Sequence, residues 1–163
     1  GPVAIGGSSL GAQSAKAIAM SATKWPQLLQ PDALLIVTHS QHMSEAALDG
    51  VLSDKWNLGG AIRAAGWHQD TEKTWLQRID PQQPACVKGE HIVSVCSTED
   101  TVTPYKTALT QMDAWNVPKE NRFSYKRGHF SIPLGMINDN DPILKFSRIL
   151  KALQTSAIGT NSG

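Results

Sequence analysis

Val3-Ala4-Ile5-Gly6-Gly7-Ser8-Ser9-Leu10-Gly11-Ala12 carries three structural signals in succession. The apolar run Val3-Ala4-Ile5 stops at Gly6-Gly7 and reads as a short strand entering a glycine-rich turn. From Leu10 to about Ala22 small residues dominate, with Leu10, Ala15, Ile18, Ala19 and Ala22 apolar, which predicts a helix. A helix that is small on most faces packs closely between layers and does not present a solvated surface. Strand, tight turn and helix in immediate succession are the opening unit of an α/β protein.

The same alternation continues downstream. Ala33-Leu34-Leu35-Ile36-Val37 follows Pro31-Asp32 and runs into Thr38-His39. A continuous β-rich apolar run of this kind fits a strand buried on both faces, as parallel sheets require. His91-Ile92-Val93-Ser94-Val95-Cys96 is a second such strand. Arg122-Phe123-Ser124-Tyr125-Lys126 alternates with period two and reads as a half-exposed edge strand. Thr103-Pro104 supplies an N-cap and a first-turn proline for a helix in which Tyr105, Ala108, Leu109 and Met112 share a face. Asp141-Pro142 repeats the device before Ile143, Phe146, Ile149, Leu150 and Leu153. The expected fold is therefore α/β, a mostly parallel sheet of about four strands with flanking helices.

Gln41 to Asp80 interrupts this rhythm. Three short helices are expected there, at Ser44–Leu52, Gly60–Ala65 and Thr71–Ile79. Such a length between two sheet strands exceeds a simple crossover and reads as a helical cap or insertion. Trp56, Trp67 and Trp75 lie along it and serve either as the core of the cap or as the lining of an apolar acyl pocket. Residues 1–154 form one domain on this reading, and 155–163 form a flexible tail of small polar residues.

Composition narrows the function classes. The chain has 163 residues, 40% apolar and 18% charged, with a formal net charge of +1. That balance excludes a polybasic nucleic-acid binder and an acidic disordered tail. Lys126-Arg127 is too small a basic step for nucleic acid. The longest apolar run, Ala33–Val37, is far short of the roughly 20 residues of a spanning helix. Cys86 and Cys96 lack the paired spacing of a structural zinc site and read as buried free thiols. They lean weakly toward a reducing, cytoplasmic compartment. His39, His42, His68 and His91 are scattered among them, so neither a metal nor a cofactor is expected. His39, at the end of its strand, is a candidate pocket residue.

Gly7-Ser8-Ser9-Leu10-Gly11 is G-x-S-x-G, set between a strand and a helix, the context in which this motif exposes a nucleophile. A serine on so sharp a turn has strained backbone angles, and small residues at Gly7 and Gly11 let the chain pass. The Ser9 hydroxyl then projects at the positive end of a helix, and the Leu10 N–H is aimed where an oxyanion would form. A glycine-rich capping turn or a phosphate-cradling loop is the alternative reading of the pentapeptide. Asp100, in Ser97-Thr98-Glu99-Asp100-Thr101-Val102-Thr103-Pro104, follows the end of a parallel strand, where open α/β sheets bind ligands. Glu99 is the fallback acid. Gly128-His129-Phe130 follows the edge strand on a loop, with Phe130 a further candidate pocket residue.

Ser9, Asp100 and His129 thus occur in the chain order nucleophile, acid, base. With these three motifs in that order, the chain resembles the C-terminal half of an α/β-hydrolase, over positions 3 to about 153. The resemblance implies a truncated hydrolase fold and a serine hydrolase of carboxylic esters, with a small-molecule acyl ester as substrate. It also implies strands before the nucleophile strand, and a second oxyanion donor on a loop among them, for which this chain offers no candidate. The Val3–Gly6 strand would then be an edge, open to pairing in a homo-oligomer or with a missing N-terminal half. A non-catalytic module that keeps the triad letters is the other reading.

Overall fold

The computed structural model describes residues 1–42, 51, 55, 57, 60, 61, 64–66 and 84–159. Four strands form one sheet: β1 (Ala4–Ser8), β2 (Ala33–Val37), β3 (Ile92–Ser97) and β4 (Arg122–Tyr125). They lie in the order β1-β2-β3-β4, and every pairing is parallel. The helices are α1 (Leu10–Ser21), α2 (Tyr105–Ala114), α3 (Ser131–Gly135) and α4 (Asp141–Gly159). The fold is α/β. Among the described residues no helix is long and apolar enough to cross a membrane.

The sheet divides the core in two, because successive side chains of a strand point to opposite faces. Leu34, Ile36, Ile92 and Cys96 face Ala12, Ala15 and Ala19 of α1 and Ala108 and Met112 of α2. Crossovers of one hand wind both connecting helices onto this same face. The alanines let α1 approach the strands closely, which is what its small-residue composition predicts. Val37 and Val95 face Ile132 of α3 across the other side, with Leu35, Phe123, Tyr125 and Met136 packed around them. All six residues of β3 are buried, whereas β4 is half-exposed and lies at an edge. Cys86 and Cys96 are free thiols, the first half-buried and the second buried.

Several boundaries differ from the sequence expectation. β1 does not stop at Gly6-Gly7 but runs on through Ser8, in register with β2 from Ala4 opposite Ala33 to Ser8 opposite Val37. Thr103 does not cap α2. Its hydroxyl is drawn to the Asp100 carboxylate, and Pro104 occupies the cap position, where its missing N–H costs nothing. α4 starts at Asp141, one residue earlier than expected, and Leu144 N–H bonds Asn140 C=O. At its other end α4 continues through Gly159, past the Thr155 at which a tail was expected to begin.

Most of the expected insertion, including Trp56, Trp67, Trp75 and the helix at Thr71–Ile79, lies outside the described residues. Val51, Gly60, Ala61 and Ala64 are helical. Val51 N–H reaches Thr101 C=O at 3.4 Å, so the insertion touches the loop that carries Asp100. Its base is tied to α1 by buried polar contacts. Lys16, fully buried, donates from Nζ to Ser40 C=O at 2.5 Å, Gln41 C=O at 3.0 Å and Gln13 Oε1 at 2.8 Å.

Candidate active site

Parallel strands direct all their C-terminal ends to one rim, and each candidate residue follows such an end. Ser9 comes directly after β1, Asp100 three residues after β3, and His129 four residues after β4. Residues 120 apart in sequence meet there: His129 Nε2 and Ser9 Oγ are 2.8 Å apart. On the other side of the ring, His129 Nδ1 lies 2.7 Å from Asp100 Oδ2. With Asp100 ionised, Nδ1 carries the proton and donates to the carboxylate. Nε2 is then the acceptor for the Ser9 hydroxyl proton, the arrangement a general base needs.

Ser9 occupies the cap position of α1 with φ 55° and ψ −120°, a backbone conformation that serine rarely adopts. The strand-to-helix turn is as tight as the motif requires. A Cβ on Gly7 would stand 2.2 Å from Gly11 C=O oxygen and 2.7 Å from Ala12 N. Gly11 differs from expectation: its own Cβ would meet nothing within 4 Å, because it is an exposed first-turn residue of α1. It is the Gly11 backbone, pressed against Gly7, that makes the turn tight. The Leu10 N–H lies in the first turn of α1, where no intrahelical acceptor exists, and remains available to an anion beside Ser9.

Asp100 is almost fully buried, and four donors converge on it. Oδ1 accepts the backbone N–H groups of Val102 and Thr103, each at 2.8 Å. Oδ2 accepts the Thr103 hydroxyl at 2.6 Å as well as His129 Nδ1–H. Burial by itself pushes the carboxyl up. The bonds from His129 and Thr103, with the imidazole charge, outweigh it and hold Asp100 below the usual carboxylate range. Asp100 therefore stays an anion beside His129. Glu99 plays no part in this cluster: its carboxylate points outward to Lys126, 3.9 Å away.

The candidate pocket residues separate. Phe130 lies at the site, its ring edge-on to that of His129 with centroids 5.0 Å apart, and is largely exposed. Leu10, beside Ser9, is also largely exposed. His39 is not a pocket residue. It is 1% exposed, and its Nε2 bonds Ser94 Oγ at 2.8 Å inside the sheet–helix layer. Burial, reinforced by the Lys16 charge, pulls its pKa down to about 3. An imidazole so placed stays neutral and fills space in the core.

Three hydroxyls that support the site escaped the sequence. Thr103, read there as a cap, holds Asp100. Thr38, read as the end of a strand, bonds the Ser9 backbone N–H at 3.1 Å. Ser97 accepts Glu99 N–H at 3.0 Å and donates to Arg127 C=O, linking the acid loop to the histidine loop. Only Thr103 had a local signal, since an aspartate three residues before a threonine commonly bonds its backbone N–H. No family model matches this chain, and no curated protein matches its sequence.

Proposed function

We propose that the chain is a serine hydrolase of carboxylic esters that works through an acyl-enzyme. What carries the proposal is the unbroken hydrogen-bond chain from Ser9 Oγ through His129 to Asp100, at the C-terminal rim of a parallel sheet. His129 Nε2 takes the Ser9 proton as Oγ attacks the ester carbonyl, and Leu10 N–H donates to the oxygen that becomes negative. The proton passes from His129 to the departing alkoxide, leaving the acyl group on Ser9. His129 then takes a proton from water, the hydroxide attacks the acyl carbon, and the returning proton frees Ser9. Asp100 orients the imidazole and stabilises its cation throughout. The exposed rings and chains of Phe130 and Leu10 favour an apolar acyl group.

Covalent labelling by a fluorophosphonate tests the assignment. Wild-type protein is expected to be labelled at Ser9, Ser9→Ala is expected to stay unlabelled, and p-nitrophenyl esters are expected to turn over. Folded protein that resists labelling and leaves those esters intact would sink the proposal. It would favour the competing reading of a non-catalytic module, which the identification of one oxyanion donor, the Leu10 N–H, among the described residues supports. Loss of one donor costs ~10²–10³ in turnover in such sites.

The proposal includes a partner strand at the Val3–Gly6 edge, from a second copy or from a segment carrying the strands the resemblance implies. Among the described residues β1 pairs only with β2. Beside it an apolar groove of about 410 Å³ is lined by Gly6, Ser8, Leu35, Pro133, Ile137 and Ile143. An unpaired edge next to an apolar groove suits strand addition. A solution mass equal to one chain would count against the second-copy form.

A further inference from the structure

We propose that Thr38 is a positioning residue for Ser9, an inference that rests on Ser9 being the nucleophile. Thr38 directly follows β2, is 1% exposed, and holds φ at 50°. For a β-branched residue that is an outlier, since the left-handed region suits glycine or asparagine. Such conformations persist where surrounding contacts over-determine them, and they cluster at functional sites.

The backbone N–H and the hydroxyl of Thr38 are both committed. Its backbone N–H bonds Val95 C=O at 2.8 Å, anchoring it to β3. Its hydroxyl donates to Val37 C=O at 2.7 Å. With that proton spent, the oxygen is an acceptor for its two remaining neighbours. Ser9 N–H lies at 3.1 Å, and Ser8 Oγ, which must then be the donor, at 3.2 Å. Ser9 N–H is shared with Val37 C=O at 2.9 Å. The nucleophile's backbone is thus held at the end of β2 by two acceptors, the Val37 carbonyl that closes the β1–β2 ladder and the Thr38 hydroxyl. Ser9 itself sits at φ 55° and makes no side-chain capping bond. Its carbonyl accepts the Ala12 and Gln13 N–H groups on the helix side at 3.0 and 3.2 Å, and the two bonds from its N–H hold it on the sheet side. The left-handed turn at Thr38 is what brings its hydroxyl across to β1. Two strained residues on neighbouring strands hold each other, and Oγ of Ser9 stays within reach of His129 as a result.

The test compares Thr38→Val, Thr38→Ser and Thr38→Gly for fluorophosphonate labelling rate, p-nitrophenyl ester kcat and KM, and melting temperature. Loss of the hydroxyl in Thr38→Val is expected to slow labelling and kcat on the order of 10²-fold, with KM little changed, as a misplaced nucleophile does. Thr38→Ser keeps the hydroxyl and is expected within about threefold of wild type by the same reasoning. Thr38→Gly relieves the left-handed backbone, so it is expected to label as slowly as Thr38→Val while melting no lower. Glycine or valine variants that label like wild type overturn the positioning role and leave the hydrolase reading standing. So does a loss that serine fails to rescue, or a loss that follows melting temperature alone. Wild-type protein that is not labelled overturns the hydrolase reading and this role with it.

Discussion

Acidification from pH 8 to pH 5 should cost the folded chain about 2 kcal/mol through one side chain, His39. The imidazole is 1% exposed, bonds only Ser94 through Nε2, and has no hydrogen-bond partner at Nδ1 among the described residues. Burial, with the Lys16 charge added, moves its pKa from 6.5 down to about 3 in the folded protein. The unfolded chain takes up the proton near pH 6.5, so between the two values it binds more protons than the native state. Stability from this group is therefore full above pH 6.5 and is lost as the pH falls toward 3. Each pH unit below 6.5 removes about 1.4 kcal/mol, so pH 5 costs about 2 kcal/mol and the full span to pH 3 about 5 kcal/mol. Domains of this size are stable by only about 5–15 kcal/mol, so the effect is large enough to measure. Urea denaturation of wild type and His39→Gln at pH 8 and pH 5 isolates it, because the other titrating groups cancel in the double difference. Glutamine fills similar space and cannot be protonated, so the variant should lose about 2 kcal/mol less than wild type over this range. Equal losses in the two proteins would refute the buried, neutral histidine.

Other substitutions probe the turn, the insertion anchor and the acid. Gly7→Ala forces a Cβ into the Gly11 backbone and should cost about 1–3 kcal/mol or more in a thermal melt, whereas Gly11→Ala meets nothing and should not destabilise. Lys16→Met removes a fully buried Nζ donor from the carbonyls of Ser40 and Gln41 and should cost about 1–3 kcal/mol in urea at neutral pH. Asp100→Asn keeps an oxygen for the Val102 and Thr103 N–H groups but presents no anion to His129. On the proposed mechanism, ester turnover should fall on the order of 10⁴-fold with a much smaller change in melting temperature.

The sequence by itself determined the layer pattern and the letters of the site. Buried parallel strands are written as unbroken runs such as Ala33–Val37, and a strand–turn–helix is written as small residues around Ser9, because periodicity and sterics act over neighbouring positions. Chain order put Ser9, Asp100 and His129 after three strand ends, and a parallel sheet gathers such ends on one rim. Only the tertiary structure decided which polar groups meet. A hydroxyl bonds whatever acceptor the fold brings within about 3 Å. Thr103 could therefore read as a helix cap and yet hold Asp100, and Thr38 could read as a strand end and yet hold Ser9. His39 could end a strand pointing to the rim and yet be sealed beneath α1, because the face a residue takes after its strand depends on the turn that follows. That turn is the left-handed Thr38, whose contacts with β1 and β3 come from residues distant in the sequence.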